Sequence, residues 1–177
     1  MRPFRRTDAP VIARLANDAE IAKMTASLRY PYPAYDAVRF LRWALKDAGR
    51  SDGAFLVTLK SNPRIAVGTA GVHLTRSGPG IGYWMGAKFR RRGYAREAAA
   101  AVTRYGFEGL GCAEIEISCR TVNAASRRII KRLGGGRPKL RPGWSRFYRR
   151  KLPTLFYMLT RAQWDHASKR RGAAWVR

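Results

Sequence analysis

Acidic side chains are scarce in this 177-residue sequence. Eleven Asp and Glu stand against thirty-six Lys and Arg, a formal net charge of +25. A field of that sign attracts polyanions and repels free polycations. Cysteine is nearly absent. Cys112 and Cys119 are too few for a disulfide framework, and their spacing matches no metal-site pattern, so two reduced, buried thiols and no metal are expected. No apolar run approaches the ~18–20 residues that span a bilayer. The first residues are polar and basic, with no apolar signal-peptide core behind them. A cytoplasmic protein that contacts no membrane is the expectation, either monomer or homodimer. No internal repeat, low-complexity linker or break in composition divides the chain. Apolar residues make up 46% of it, enough for one packed domain over residues 1–168, followed by a basic, loosely held tail over 169–177.

The basic charge is unevenly spread. From Ile117 to Trp164 there is no Asp or Glu, yet there are thirteen Lys or Arg. This segment reads either as the solvated surface of an arginine-rich protein or as a docking face for a polyanion such as ribosomal RNA.

Periodicity sets out the elements. Arg2 to Arg6 reads as a short strand. Asp8 caps a helix with Pro10 in its first turn and a buried stripe of Val11, Ile12, Leu15 and Ala19. Tyr30-Pro31-Tyr32-Pro33 is a loop. A second helix from about Tyr35 to Ala48 carries Val38, Leu41, Leu45 and Ala48 inward and stops at Gly49. Strands follow at Ala54–Leu59, Ile65–Leu74 and Ile81–Met85, separated by Ser61-Asn62-Pro63 and Ser77-Gly78-Pro79-Gly80. An alanine-rich helix spans Ala95–Glu108, and Glu114–Arg120 is a strand with Ile115, Ile117 and Cys119 on one face. A further helix starts at Asn123 and ends at Gly134-Gly135-Gly136. Two strands, Arg146–Lys151 and Thr154–Leu159, close the sheet, and Thr160-x-x-Gln163 is a capping box opening a last helix. The expected class is α+β: a mixed, mostly antiparallel sheet flanked by helices, in the order β-α-α-β-β-β-α-β-α-β-β.

One junction carries chemistry. A strand ending at Met85 runs into Arg90-Arg91-Arg92-Gly93-Tyr94-Ala95, and a helix begins at once. A helix N-terminus presents unsatisfied N–H groups and a partial positive charge, which suits phosphate. Gly93 lets the backbone approach closely, and guanidinium groups bind phosphate oxygens in pairs. Gly80-x-Gly82 is no dinucleotide fingerprint, since the third glycine, the following helix and the later acidic residue are absent.

Arg90-x-x-Gly93-x-Ala95 resembles the Q/R-x-x-G-x-G/A signature of the GNAT superfamily of N-acetyltransferases. Gly82-Tyr83-Trp84-Met85 is similar to the G-Y-W-L strand of its RimJ/RimL branch, and Asn123-Ala124-Ala125-Ser126 to that branch's N-x-x-S. Leu133-Gly134 stands where members have L-G-F, and Tyr157-Met158-Leu159-Thr160-Arg161 resembles their closing Y-x-L-T-R. Arg2-Pro3-Phe4 and Pro31-Tyr32-Pro33 extend the likeness over about residues 2 to 165.

The resemblance implies acetyl-CoA as acyl donor and a primary amine as acceptor. It implies that pantetheine pairs with Tyr83, Trp84 and Met85, and that the pyrophosphate lies on Arg90, Arg91, Arg92, Gly93, Tyr94, Ala95 and Arg96. Asn123 would hydrogen-bond the pantetheine arm and Ser126 would sit near the sulfur. Read from the residues alone, Asn123 is an ordinary N-cap and Ser126 an ordinary third helical position.

Amine attack on a thioester needs a proton acceptor, an oxyanion stabiliser and a donor to the departing thiolate. A backbone N–H on the Tyr83–Met85 strand suits the oxyanion, and Ser126 is the candidate donor. The base is less apparent. Many relatives carry Glu where this chain has Gly80, and none of Arg127, Arg128, Ile129 and Ile130 is the tyrosine that some place on this helix. Glu116 is the candidate base, acting through water, although alternation with Ile115 and Ile117 would turn it to solvent. His73, between Val72 and Leu74 on a predicted strand, reads as a structural histidine, and His166 as an exposed one.

Acceptor choice in this family is implied to rest on Met24–Tyr35 and Arg137–Lys151. Neither segment holds an acidic residue, which argues against aminoglycosides and polyamines and suits a protein N-terminal amine, such as that of a ribosomal protein; a small amine stays open. Tyr30, Tyr32, Tyr35, Trp144, Phe147 and Tyr148 are candidates to line the acceptor slot. Two other readings stand beside this one: a nucleic-acid-binding module, and a catalytically weak member of the fold that only binds acetyl-CoA.

Overall fold

The computed structural model describes residues 1–46, 53–75 and 77–170. Seven strands form one sheet: β1 (Arg2–Pro3), β2 (Ala54–Thr58), β3 (Ala66–Thr75), β4 (Gly78–Met85), β5 (Glu114–Arg120), β6 (Lys139–Ser145) and β7 (Arg150–Thr160). Their spatial order is β1-β2-β3-β4-β5-β7-β6. Every neighbouring pair is antiparallel except β4 and β5, which run parallel. Among the described residues six α-helices flank the sheet: α1 (Ala9–Ala16), α2 (Ala19–Met24), α3 (Ala34–Lys46), α4 (Tyr94–Arg104), α5 (Ala124–Leu133) and α6 (Arg161–Lys169). The expected mixed sheet is present.

Helices α4, α5 and α6 cover one face along its length. Val72, Ile81, Ile115, Ile117 and Leu159 of the sheet meet Ala98, Ala99, Val102, Ile130, Leu133 and Trp164 there. Helices α1 and α3 cover the other face, where Ile12, Ala16, Ala37 and Leu41 close on Leu56 and Ala66. That second layer reaches only to Trp84 on β4. Among the described residues, the same face of β5 and β7 therefore carries no helix.

Several element boundaries differ from the sequence reading. The first helix is two. Asp18 accepts from the amides of Glu20 and Ile21 and starts α2 afresh, so Ala19 opens a new helix rather than extending the stripe of α1. On α3 the buried apolar positions are Ala37 and Leu41, while Val38 is 40% exposed. Ala48 and Gly49 lie outside the described residues, as does the expected tail beyond Arg170. β1 is only two residues, because Arg6–Asp8 already forms a 3-10 turn. β4 begins early, at Gly78. Helix α4 ends at Arg104, and Tyr105–Gly109 continues as a π turn.

The largest correction concerns the last hairpin. Its first strand is Lys139–Ser145, not Arg146–Lys151, and the turn lies between Ser145 and Arg150, with Arg149 in the left-handed region at φ 53°. Pro142 and Gly143 obscured that strand. Pro142 faces Pro153 across the ladder. Neither proline has an N–H to donate, so the pair is necessarily a non-hydrogen-bonded one, and an edge strand tolerates it.

Candidate functional site

β4 and β5 touch only at their beginning. The pairs are Gly80 with Glu116 and Ile81 with Ile117. From Gly82 to Met85, β4 pairs with β3 alone, and from Ser118 to Arg120, β5 pairs with β7 alone. The facing edges of both strands thus leave main-chain groups without a ladder partner, and such groups need one. A cleft of about 1400 Å³ opens from this divergence.

At one end the cleft meets the start of α4. Gly93 is the N-cap, at φ 87°, and Arg91 is also left-handed, at φ 61°. A short turn, Ala87–Phe89, uses the amides of Phe89 and Arg90, and the helix first uses those of Arg96 and Glu97. No acceptor among the described residues takes a hydrogen bond from the amides of residues 91 to 95. A run of unpartnered amides at a helix N-terminus is an anion cradle. Arg91, Gly93, Tyr94, Ala95 and Arg96 line the cleft there. Arg90 also lines it, but its guanidinium is held by Asp18 at 2.5 Å. Arg92 is exposed and lies off the cleft wall.

At the other end of the divergence stands the start of α5. The Asn123 side-chain oxygen accepts from the Ser126 amide at 3.0 Å, which leaves the Asn123 amide nitrogen for a ligand. Tyr83, Trp84, Met85, Asn123 and Ser126 all line the cleft. Burial pushes the Tyr83 hydroxyl far above its usual range, and the neighbouring Ser126 side chain opposes that rise. Ser126 stands beside the hydroxyl without meeting hydrogen-bond geometry, so the buried Tyr83 oxygen has no partner among the described residues. The sequence reading placed Tyr83 on the cofactor strand but missed this orphan hydroxyl. Cys119 lines the cleft too. Burial raises its thiol, which keeps it protonated rather than nucleophilic.

The uncovered face of β5 and β7 forms the opposite wall. Arg120, 5% exposed, donates to Gly143 O at 3.0 Å, Trp144 O at 2.5 Å, Thr154 Oγ1 at 2.6 Å and Thr25 O at 3.3 Å. Burial lowers its pKa, and no carboxylate among the described residues pairs with it. This side chain pins the loop after α2 to the β6–β7 hairpin. A second tie comes from Asp36, which binds Arg29 at 2.6 Å, Arg39 at 2.9 Å and Arg146 at 3.5 Å. The two segments expected to choose the acceptor are therefore joined.

Of the aromatic residues expected in the slot, only Trp144 reaches the main cleft; Phe40, Trp43 and Phe156 line it instead. Tyr32 lines a small side pocket beside Asp36. Phe147 and Tyr148 pack edge-to-face at 4.7 Å, and Arg29 sits over the Tyr35 ring.

Glu116 differs from its expected place. It is 7% exposed rather than solvent-facing, its carboxylate meets Arg141 at 3.2 Å, and it does not line the cleft. Alternation along β5 puts it on the helix-free face, but the hairpin strand β6 brings Arg141 over it. His73 does line the cleft, and His166 is exposed on α6.

Residues 1–135 match the family described as acetyltransferase (GNAT) domain. The chain belongs to the GNAT acetyltransferase family. Among curated proteins it is similar to the FsC-acetyl coenzyme A-N(2)-transacetylase of Aspergillus fumigatus, 28% identical over 138 residues, 68% of this chain and 55% of that protein. The chain spans about half the length of the curated relatives it matches. Among solved structures, ribosomal-protein-S5-alanine acetyltransferase from Vibrio fischeri superposes with a TM-score of 0.76 at 16% identity, covering 92% of this chain and 93% of that one. Mycobacterium smegmatis RimJ in complex with CoA-disulfide gives 0.74 at 19% identity, covering 92% and 81%. These neighbours establish the GNAT fold. Among the described residues no helix is long and apolar enough to cross a membrane.

Proposed function

We propose that the chain transfers an acetyl group from acetyl-CoA to a primary amine, with a protein N-terminal amine as acceptor. The observation that carries this reading is the run of unpartnered amides at residues 91 to 95, opening into the same cleft as the unpaired edges of β4 and β5. A diphosphate fits the first feature and an extended amide-bearing arm fits the second. Bound acetyl-CoA supplies an acetyl thioester to the amine.

In this reading Arg91, Gly93, Tyr94, Ala95 and Arg96 receive the pyrophosphate, and Arg90 acts by fixing the loop through Asp18. Arg92 contributes only to the field around the site. Tyr83, Trp84 and Met85 pair with pantetheine, Asn123 donates its amide to it, and a β4 amide steadies the developing oxyanion. Ser126 delivers a proton to the thiolate, with the Tyr83 hydroxyl beside it. Glu116 stays with Arg141 and does not take the proton of the amine.

The acceptor class follows from charge. Glu20, which lines the cleft, is bound to Lys23 at 2.7 Å, while Asp18 and Asp36 are bound by arginines. Arg120 adds a buried positive charge to the wall. A polycation finds no unclaimed carboxylate among these, whereas a peptide amine with neutral or acidic neighbours does not need one. The Vibrio fischeri neighbour is named for a ribosomal-protein alanine, in keeping with such an acceptor. The acid-free stretch from Ile117 to Trp164 would hold ribosomal RNA near the site.

Calorimetry with acetyl-CoA and CoA, followed by a thiol-release screen over peptides and amines, tests the proposal. Binding of both, and thiol release with free N-terminal peptides but not with spermidine, is expected. No heat with acetyl-CoA would rule the reading out.

A further inference from the structure

On the helix-free face one cross-strand row runs His73 on β3, Gly80 on β4 and Glu116 on β5. Directly paired residues share a face, so all three positions point the same way. Gly80 carries no side chain, and His73 and Glu116 flank the gap. The Thr75 methyl, 2.6 Å from where a methyl group on Gly80 would stand, and the imidazole share that gap. A methyl group on Gly80 would stand 3.6 Å from His73 Nε2, and one on Gly82 would stand 3.4 Å from Cε1 and 3.8 Å from Nδ1. The ring thus lies over the two glycines, at the point where β4 and β5 begin to part.

An amine acceptor arrives largely as an ammonium and must lose a proton before it attacks. Besides arginines, the titratable groups lining the cleft among the described residues are Glu20, His73, Tyr83, Tyr94 and Cys119. Glu20 is exposed on α2 and paired with Lys23. Tyr83 and Cys119 hold their protons because they are buried. Glu116, the one carboxylate in the row, is turned to Arg141 and off the wall. His73 joins a base of suitable chemistry to a place on the cleft wall beside the divergence.

We infer that His73 is the general base of the acetyl transfer proposed above, on which this inference rests. Its imidazole takes a proton from the acceptor ammonium. The freed nitrogen lone pair forms the C–N bond to the thioester carbonyl carbon, the C–S bond breaks, and the thiolate leaves with a proton. The overall products are amide, CoA thiol and the proton held by His73, which passes to solvent. Gly80 and Gly82 serve this by leaving room for the ring over β4. The charged groups around the row include Glu116 with Arg141 from β5 and β6, Arg120 further along β5, and Glu20 with Lys23 from α2.

The test compares wild type with His73→Gln across pH, using acetyl-CoA and a trialanine peptide with a free amine. Above pH ~7 the turnover ratio is expected to be about 10². It should shrink as pH falls, because protonation removes a histidine base. Acetyl-CoA affinity by calorimetry should change less than about two-fold, since the base does not touch the diphosphate cradle. A ratio near one, or a large ratio constant with pH, overturns the proposal. A second readout needs no acceptor. The chain has two histidines, so His73→Gln assigns both imidazole NMR signals. Acetyl-CoA should shift the His73 signal and its titration midpoint while leaving His166 in place; an unmoved His73 signal in a protein that binds acetyl-CoA counts against the assignment. Wild type that binds no acetyl-CoA would instead refute the acetyl-transfer reading, and this inference with it.

Discussion

The Arg90 guanidinium meets the Asp18 carboxylate at 2.5 Å across 72 residues of sequence. Asp18 also caps α2 through the amides of Glu20 and Ile21. One carboxylate therefore starts a helix on the acceptor side and anchors the loop that opens α4. The proposed cofactor cradle and acceptor wall are set relative to each other by this contact.

Asp18→Ala should accordingly act on two measurements. Loss of the cap costs about 1 kcal/mol of stability, seen as a lower Tm. Acetyl-CoA affinity should fall several-fold because Arg90 no longer holds the loop. A stability loss with unchanged affinity would show that the ion pair does not position the cradle.

Stability should decline in acid for a definable reason. Burial would raise the carboxyl pKa values of Asp8, Asp18 and Asp36, but arginine and amide partners outweigh it, and all three lie below the ordinary value near 3.9. A folded pKa below the unfolded one gives stability that is present above the unfolded value and lost as pH falls through the folded one. Thermal denaturation should therefore show no penalty from these groups above pH ~5 and a falling Tm below ~4. Asp36→Asn should lower Tm at neutral pH and flatten that acid limb. An unaltered acid limb would mean that the Arg29–Asp36–Arg146 cluster is not its source.

How much of this was legible beforehand depends on distance along the chain. The cradle was readable because it is local: a strand, Arg90 to Arg92, Gly93 and a helix follow one another without interruption. Asn123 and Ser126 were readable for the same reason, as a cap and its third helical position. Thr160 and Gln163 formed the capping box they spell. What escaped depends on register. Nothing in Lys139–Ser145 announces a strand, because Pro142 and Gly143 are acceptable only opposite Pro153 at an edge. Arg120 reads as a surface cation until Thr25, Gly143, Trp144 and Thr154 converge on it. His73 reads as a strand residue until the β3–β4 pairing sets it against Gly80.

Ser126→Ala separates binding from chemistry. If the hydroxyl delivers the proton to the thiolate, turnover should fall by about 10² while acetyl-CoA affinity holds. Unchanged turnover would remove Ser126 from that role and leave the Tyr83 hydroxyl as the donor to test, with Tyr83→Phe.

The basic hairpin makes a separate prediction. Arg149, Arg150 and Lys151 are exposed at and beside its turn. Binding to a ribosomal RNA fragment should weaken steeply with salt, and replacing all three by Gln should reduce the slope of log K against log salt by about 2–3. Salt-independent or absent binding would leave the positive charge without a polyanion to meet.

The cradle formed by the amides of residues 91 to 95 is tested most directly by calorimetric titration of acetyl-CoA into wild type and Gly93→Asp. Gly93 sits at φ 87°, and the nearest atoms to an added Cβ are Glu97 Oε1 at 3.8 Å and Arg96 at 3.9 Å, so the new side chain has room, yet it strains the backbone and sets a negative charge beside the diphosphate. Saturable one-to-one binding to wild type and no measurable heat with a folded Gly93→Asp variant is the predicted result. Equal affinity in the two proteins would contradict it.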